Sequence, residues 1–354
     1  MLKDDVENFG GIKMNFKSYC DLKIMLQNKP QKWLLTGAAG FIGSNLLQEL
    51  LELDQKVVAI DNFSNGLQSN LDEVKKSVGE RWRNLQFIEG DFCQKDIMLD
   101  LCDEVDYVLH QGALGSVPRS INDPLTSNRH NVEGQLTILT AAKEKGVKKV
   151  VFASSSSVYG DHPDLPKMEE KIGEQLSPYA VSKYVNELYA SVFYKNFGLS
   201  SAGLRYFNVF GRRQSPKGPY AAVIPIWIQS MIRGEDVCIF GDGKTSRDFC
   251  YVRNVIEANI QAACAKVEGA YAYNIALSDQ TSLNDLFSYL KEFLSSECGI
   301  NYNKDPVYKD FRKGDVRHSR ANIEKAQKDF KYNPEVRVED GLRKAIKWYV
   351  ETLR

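Results

Sequence analysis

Short apolar runs recur along the first part of the chain, each closed by a turn of small or acidic residues and followed by helical periodicity. The runs are Trp33–Leu35, Val57–Ile60 ending in Asp61, Leu85–Ile88 leading to Asp91, Val105–His110, Lys149–Ala153 and Ser201–Arg205. Helical patterns follow at Phe41–Leu47, from about Pro124 to Lys145 and from Tyr179 to Phe197. Continuous apolar strands alternating with helices predict an α/β fold, a doubly wound parallel sheet with right-handed crossovers over residues 32–206. After residue 206 the texture changes: Gly211, Pro216, Gly218, Pro219 and Pro225 punctuate the chain. Helices are expected near Ala222–Arg233, Val255–Lys266, Leu283–Ser296 and Glu339–Thr352, with a short strand at Val237–Phe240. Residues 207–354 read as a smaller C-terminal α/β domain, some segments of which return to the first. Residues 1–31 read as a structured extension whose Phe16, Tyr19, Leu22, Ile24, Met25 and Leu26 form a short helix on the main body.

The first strand runs into Thr36-Gly37-Ala38-Ala39-Gly40-Phe41-Ile42-Gly43. A glycine-spaced turn between a strand and a helix N-terminus is the arrangement that receives a dinucleotide pyrophosphate. The first glycine permits the turn, the second lets backbone N–H groups approach phosphate, and the third lets helix and strand pack closely. Packing alone also explains three such glycines. Asp61 ends the second strand, where an acid binds both hydroxyls of an adenosine ribose and repels a ribose phosphate, favouring NAD over NADP; its other reading is a cap on the following turn. Asp91 is placed to meet an adenine edge. Small residues after the fourth strand, Gln111 to Ser116, suit a loop facing the cofactor, and Asn131 lies on the helix beyond it. His110, ending an apolar strand, reads as a satisfied core histidine.

Charge narrows the partners. Lys+Arg and Asp+Glu are 46 each, so nothing draws the chain generally to nucleic acid or an acidic membrane. No window approaches the length of an apolar membrane span. The seven cysteines are scattered, none in a Cys-x-x-Cys pair or near a histidine at zinc-ligand spacing, and histidines number four. That pattern suits reduced thiols in the cytoplasm, with no metal site.

Tyr179 and Lys183 share a face of their helix, four residues apart. A phenol is a poor base at neutral pH, and a nearby ammonium is expected to favour its phenolate. A serine at the end of the preceding strand, in the run Ser154-Ser155-Ser156-Ser157, would relay a proton to Tyr179.

With these residues the sequence resembles the extended short-chain dehydrogenases/reductases, and among them the nucleotide-sugar 4-epimerases. The resemblance is carried by Thr36 to Gly43, Asp61-Asn62-Phe63-Ser64, Ala153 to Gly160, Ser177-Pro178-Tyr179 with Lys183, Leu204 to Gly211 and Arg312 to Ser319. It implies a Rossmann-type domain holding NAD, with Tyr179 as acid/base, Lys183 on the nicotinamide ribose and Ser155 at the catalytic serine position. Cofactor contacts implied are Gly37, Gly40, Phe41, Ile42, Gly43, Asp61, Asn62, Ser64, Gly66, Asp91, Phe92, Gln111, Ala113, Asn131, Tyr179, Lys183 and Phe207. The second domain would hold a UDP-sugar, with Arg247 and Arg312 on the pyrophosphate and Asp315 on a ribose hydroxyl. Ser116, Ser155, Ser156, Ser157, Tyr179, Asn208, Val223, Phe240, Arg317, His318 and Ser319 complete the implied substrate contacts. The resemblance also implies a cytoplasmic homodimer through a helix face that includes Tyr179, and a role in surface polysaccharide (O-antigen) synthesis.

Ser319 stands where epimerases restricted to plain hexoses carry a bulky aromatic, and a small residue there leaves room for an N-acetyl group. With Ala113 to Ser120 and Arg317-His318-Ser319, it resembles the bacterial epimerases that prefer N-acetylated UDP-hexoses or their uronic acids. The implied reaction is inversion at carbon 4 of UDP-N-acetylglucosamine by transient oxidation with tightly bound NAD. The uronic acid is the nearest alternative, through Arg119, Arg129 or His318, and a non-catalytic NAD-binding sensor is the alternative of another class. Gly112 stands where relatives more often carry alanine.

Overall fold

The computed structural model describes residues 16–216, 221–311 and 316–353. Seven strands form one parallel sheet: β1 (Lys32–Thr36), β2 (Lys56–Asp61), β3 (Leu85–Glu89), β4 (Tyr107–His110), β5 (Lys149–Ser155), β6 (Ser201–Tyr206) and β7 (Ala270–Ile275). Their order is β7-β6-β5-β4-β1-β2-β3. The chain therefore leaves β1 toward one edge and returns to β1's other side with β4. Register aligns the carboxyl ends: Thr36 pairs with Ile60 and His110, and Ser155 with Tyr206. The crevice between the β1 and β4 exits is the topological switch point where such sheets bind ligands.

Alternate residues of each strand enter different cores. Trp33, Leu35, Val57, Ala59, Leu109 and Val151 belong to one cluster; Leu34, Val58, Ile60, Val108 and Val150 belong to the other. A parallel sheet covered on both faces needs this two-sided apolar pattern. Helices α1 (Tyr19–Asn28) and α2 (Phe41–Glu52) cover the first face. Between β2 and β4 come α3 (Gln68–Val78) and α4 (Lys95–Leu101); after β4 come α5 (Val117–Asn122), α6 (Pro124–Asn128) and α7 (Gly134–Glu144). The long helix expected over 124–145 is interrupted by one π-turn, Arg129–Glu133.

Helix α8 (Pro178–Phe197) starts where Ser177 accepts from the Ala180 N–H with proline at its first position, and stops at left-handed Gly198, as capping rules require. Beyond β6 follow α9 (Val223–Arg233), α10 (Val252–Cys264), α11 (Leu283–Cys298), α12 (Glu324–Phe330) and α13 (Val338–Leu353). Strand β7 was not expected from the sequence. It adds to the sheet beside β6, in parallel, and its alternating Ala-Tyr-Ala-Tyr pattern is the signal that was available. The extension supplies α1, held by a Ser18–Asp21 capping box and by Leu22 and Leu26 in the core. No helix among the described residues is long and apolar enough to cross a membrane.

Gly112 has a packing reason. A Cβ there would lie 2.5 Å from Cε1 of Phe92, and a Cβ on Gly134 would lie 2.3 Å from Cε2 of the same ring. The two glycines form a slot for Phe92. Gly112→Ala is expected to cost about 2 kcal/mol of stability by overpacking, and Phe92→Leu in the same chain should recover most of it. Urea unfolding of the single and double variants tests the pairing; purely additive losses would refute it.

Candidate active site

The glycine turn is shaped by two close approaches. Gly37 is left-handed at φ +68°, and a Cβ on it would lie 2.7 Å from the Gly112 nitrogen. A Cβ on Gly43 would lie 1.9 Å from the Gly37 carbonyl oxygen, so α2 packs directly on the turn. Gly40 precedes α2 with no side-chain cap, which leaves the first N–H groups of the helix open toward the crevice. Phe41 and Ile42 form the first turn of α2, half-buried.

Thr36 ties this turn to the β4 loop. Its hydroxyl is 2.6 Å from Nδ1 of His110 and accepts from the Gly112 N–H at 3.2 Å. His110 is buried, and burial, with Lys183 nearby, pushes its pKa down to about 3, so the ring is a neutral core group.

Asp61 is the last residue of β2, at the strand end where the sequence predicts a ribose contact. Its carboxylate accepts from the backbone N–H groups of Ala39 (2.9 Å) and Phe63 (2.8 Å); burial raises its pKa against those bonds. It therefore braces the glycine turn and the Asn62–Gly66 loop. In that loop the Ser64 N–H is held by the Asn62 side chain, and Gly66 packs on Ala39 and Asp61.

Four of the expected cofactor residues are engaged elsewhere by their side chains. The Phe92 ring fills its slot in the core, and the Phe207 ring is fully buried beside Tyr159. Only their backbones remain to face a ligand. Asn131 grips the β4 loop, accepting from the Leu114 N–H (2.8 Å) and donating to its carbonyl (3.2 Å) and to Ser182 (3.2 Å). It positions Ala113 and Leu114 instead of reaching out. Gln111 joins Tyr206 and Asn259 in a half-buried network.

The serine run divides by role. Ser154 donates to Glu187 at 2.5 Å. Ser155, the last residue of β5, lies close enough to the Tyr179 hydroxyl to pull its pKa down, and Ser157 donates to Ser155 at 2.8 Å. Ser156 is half-buried at the same strand end. Lys183 donates to the Ala153 carbonyl at 2.7 Å and stands 5.9 Å from the Tyr179 ring centre. Burial lowers the Lys183 pKa to about 8. The expectation that the ammonium lowers the Tyr179 pKa is corrected: burial raises it, and Ser155 is the group that pulls it down.

Glu187 was not singled out from the sequence, although it continues the spacing Tyr179, Lys183, Glu187. It forms a two-point pair with Arg205 of β6 (2.9 and 2.7 Å), with side chains 10 % and 2 % exposed. Successive turns of α8 thus read the end of β5: Tyr179 on Ser155, Lys183 on Ala153, Glu187 on Ser154. Ser116 caps α5 at φ 144°, and Ser120 of that helix accepts from the Tyr179 N–H.

A second group assembles from the later chain. The Ser246 N–H donates to the Arg317 carbonyl, the Ser319 N–H donates to the Ser246 carbonyl, and the Ser246 hydroxyl lies 2.8 Å from Nδ1 of His318. Arg247 donates to the Ser246 and Arg317 carbonyls, and Arg317 lies over the Phe311 ring at 3.7 Å. Asp248 is the buried hub, accepting from the N–H groups of Leu277, Asp279 and Ala321. The Cys250 N–H donates to the carbonyl of Asn208, an exposed residue at φ 32°. Phe240 lines an open groove of about 650 Å³ with Tyr308, Lys309 and Asp310, and Val223 opens α9. Arg312 and Asp315 lie outside the described residues.

Residues 33–276 match the model of the NAD dependent epimerase/dehydratase family. The chain belongs to that family. Among family relatives, a putative UDP-glucose 4-epimerase of Methanocaldococcus jannaschii is 35% identical over 317 residues, 89% of this chain and 97% of the relative. A UDP-N-acetylglucosamine 4-epimerase from Methanobrevibacter ruminantium, solved with UDP-N-acetylmuramic acid, is 38% identical with a TM-score of 0.83, covering 92% of this chain and 99% of that one. The Thermus thermophilus UDP-glucose 4-epimerase solved with NAD is 30% identical with a TM-score of 0.76, covering 90% and 99%.

A neutral buried histidine has a pH signature. The unfolded chain protonates near pH 6.5, whereas folded His110 does so only near pH 3. Between these values the unfolded state binds more protons, so stability falls as pH is lowered, at up to about 1.4 kcal/mol per unit. His110→Asn is expected to flatten this limb in unfolding measured between about pH 6 and pH 4; parallel curves would remove His110 as its source.

Proposed function

We propose that the chain is a UDP-sugar 4-epimerase with resident NAD whose sugar is the N-acetylhexosamine, interconverting UDP-N-acetylglucosamine and UDP-N-acetylgalactosamine. The observation that carries the reading is the meeting of Ser155, Tyr179 and Lys183 at the carboxyl end of β5, beside the switch-point crevice. The groups around the crevice suit a dinucleotide: open N–H groups at α2 for the pyrophosphate and the Asp61 carboxylate for the ribose. When bound, NAD supplies the hydride acceptor and a positive ring that favours the phenolate.

The chain's own part is proton handling and orientation. The Tyr179 oxygen takes the proton of the sugar's 4-hydroxyl, directly or through the Ser155 hydroxyl, and returns it to that oxygen once the sugar has turned its other face to the nicotinamide side. Lys183, charged below about pH 8, holds a ribose hydroxyl. Arg247, with Arg312, pairs with the pyrophosphate by guanidinium forks.

The N-acetyl preference rests on Ser319, a small residue whose backbone is bonded to Ser246 beside Arg247. Two of the basic groups that would favour a uronic acid have other partners: Arg119 donates to Asn65, and His318 Nδ1 lies 2.8 Å from the Ser246 hydroxyl. The same reading carries a homodimer, through the apolar face that α8 exposes at Val181, Leu188 and Val192.

Purified protein is incubated separately with UDP-N-acetylglucosamine, UDP-glucose and UDP-N-acetylglucosaminuronic acid, and the products are resolved. Inversion of the first is expected to be fastest; no inversion of any would end the epimerase reading. Tyr179→Phe should lower turnover by about a thousandfold while the purified protein keeps its NAD, and unchanged turnover would remove Tyr179 from its role. Ser319→Tyr should cut kcat/KM for the N-acetylated substrate by about ten- to hundredfold, the equivalent of 1–3 kcal/mol of overpacking. An equal loss on UDP-glucose would refute the size argument.

A further inference from the structure

Sequence spacing set metal ligands aside, because no cysteine stands near a histidine in the chain. Folding brings one set together. One ligand atom each from Asp91, Cys93 and His130 lie within 4.8 Å of one another, and all three residues are half-buried. We propose that these three side chains form a binding site for a thiophilic divalent cation of the Zn²⁺ class, with a fourth position left for water.

The scaffold explains why the three converge. The Phe92 ring is locked between Gly112 and Gly134, so its neighbours Asp91 and Cys93 are held on either side of a fixed residue. The Cys93 N–H donates to the Asp91 carboxylate at 2.9 Å, which sets the two side chains in one tight turn. His130 comes from the π-turn Arg129–Glu133. A π-turn rotates the helix by the inserted residue and so re-aims the side chains on it. His130 thereby lies edge-on to Phe92, with ring centres 6.4 Å apart.

The donor set is one sulfur, one imidazole nitrogen and one carboxylate oxygen. That mixture suits zinc and its borderline neighbours and is poor for magnesium or calcium, which take oxygen ligands. Zinc bonds of about 2.0–2.3 Å place tetrahedral ligands roughly 3.3–3.7 Å apart. Side-chain rotations of about 1 Å therefore close the observed cluster onto an ion. The charges nearby favour a cation. The Asp91 and Glu133 carboxylates both act at Cys93, opposed by Arg129. Arg129 reaches Asp91 only at 3.9 Å and its side chain is 63 % exposed, so yielding to an ion costs it little.

Cobalt(II) is the probe, titrated into the full chain carrying Cys20→Ser, which removes an exposed thiol. Binding is expected to give a near-ultraviolet thiolate-to-cobalt charge-transfer band that saturates at one equivalent and is displaced by zinc. Cys93→Ser should abolish the band. His130→Gln should keep it but weaken binding by at least about the hundredfold that even an outer-shell loss can cost. Circular dichroism and unfolding midpoints of both variants report that the fold is retained. No band in the parent, or a band of equal strength in Cys93→Ser, would overturn the site. So would unchanged cobalt affinity in His130→Gln. The readout is independent of turnover, so the epimerase reading stands or falls separately.

Discussion

A buried guanidinium–carboxylate pair, Arg205 of β6 with Glu187 of α8, is the joint that fixes the helix carrying the proposed acid–base group. An interior ion pair seldom adds net stability, because desolvation consumes the Coulomb gain, but a broken one leaves an uncompensated charge. Its effect is on register: α8 can slide or rotate against the sheet only by parting two charges that are 2 % and 10 % exposed. Since Tyr179, Lys183 and Glu187 recur every four residues, fixing Glu187 on Ser154 and Arg205 also fixes Lys183 on the Ala153 carbonyl and Tyr179 on Ser155. One polar clamp at the far end of the row thus sets hydroxyl geometry at the near end. The Arg205 guanidinium also lies over the Tyr159 ring at 4.8 Å and donates to the Glu169 carbonyl, so the clamp is itself held from β5's exit and from the loop before α8.

The cofactor side is organised by the opposite device, the removal of side chains. Gly37, Gly43 and Gly112 bring α2, the β1 exit and the β4 exit within distances a methyl group would forbid. Thr36, His110 and the Gly112 N–H close the remaining gap by hydrogen bonds. Phe92 occupies the volume that Gly112 gives up, so a departure from the residue usual at that position has a partner close by. Close packing transmits such exchanges between neighbours because interiors carry few voids.

Much of this was legible in the sequence. Six of the seven strands showed as apolar runs, the glycine turn and the Tyr179–Lys183 pair stood at readable spacings, and Ser177-Pro178 marked the start of α8. The unreadable parts share a cause: each depends on residues that only the fold makes neighbours. Strand β7 alternates with tyrosines instead of forming a continuous apolar run and sits between helical segments, so it had no fixed reference until β6 supplied an edge. Asn131 was expected to reach the cofactor, because a helix pattern gives a face but not its partner. The π-turn and the Leu114 backbone decide that it points inward. The Tyr179 pKa was misjudged because spacing reveals the ammonium and hides the burial.

The proposed choice of sugar depends on register in a segment remote from the cofactor turn. Ser319 lies between two isolated parallel bridges, Ser246 with His318 and Lys167 with Ala321, the first of which bonds the Ser246 N–H and carbonyl to Arg317 and Ser319. An isolated bridge fixes register weakly, and a slip of one residue would exchange Ser319 for His318 or Arg320. Asp248 adds a buried constraint to the two bridges. Its buried carboxyl group accepts from Ala321 on one side and from Leu277 and Asp279 on the other, pinning the chain two residues beyond Ser319 to the end of β7. Burial pushes the Asp248 pKa up to about 7, the cost of placing that carboxyl group where it can bind both segments. The small residue on which the N-acetyl reading rests is therefore positioned from the sheet itself, through an acid adjacent to Arg247, the arginine proposed for the pyrophosphate.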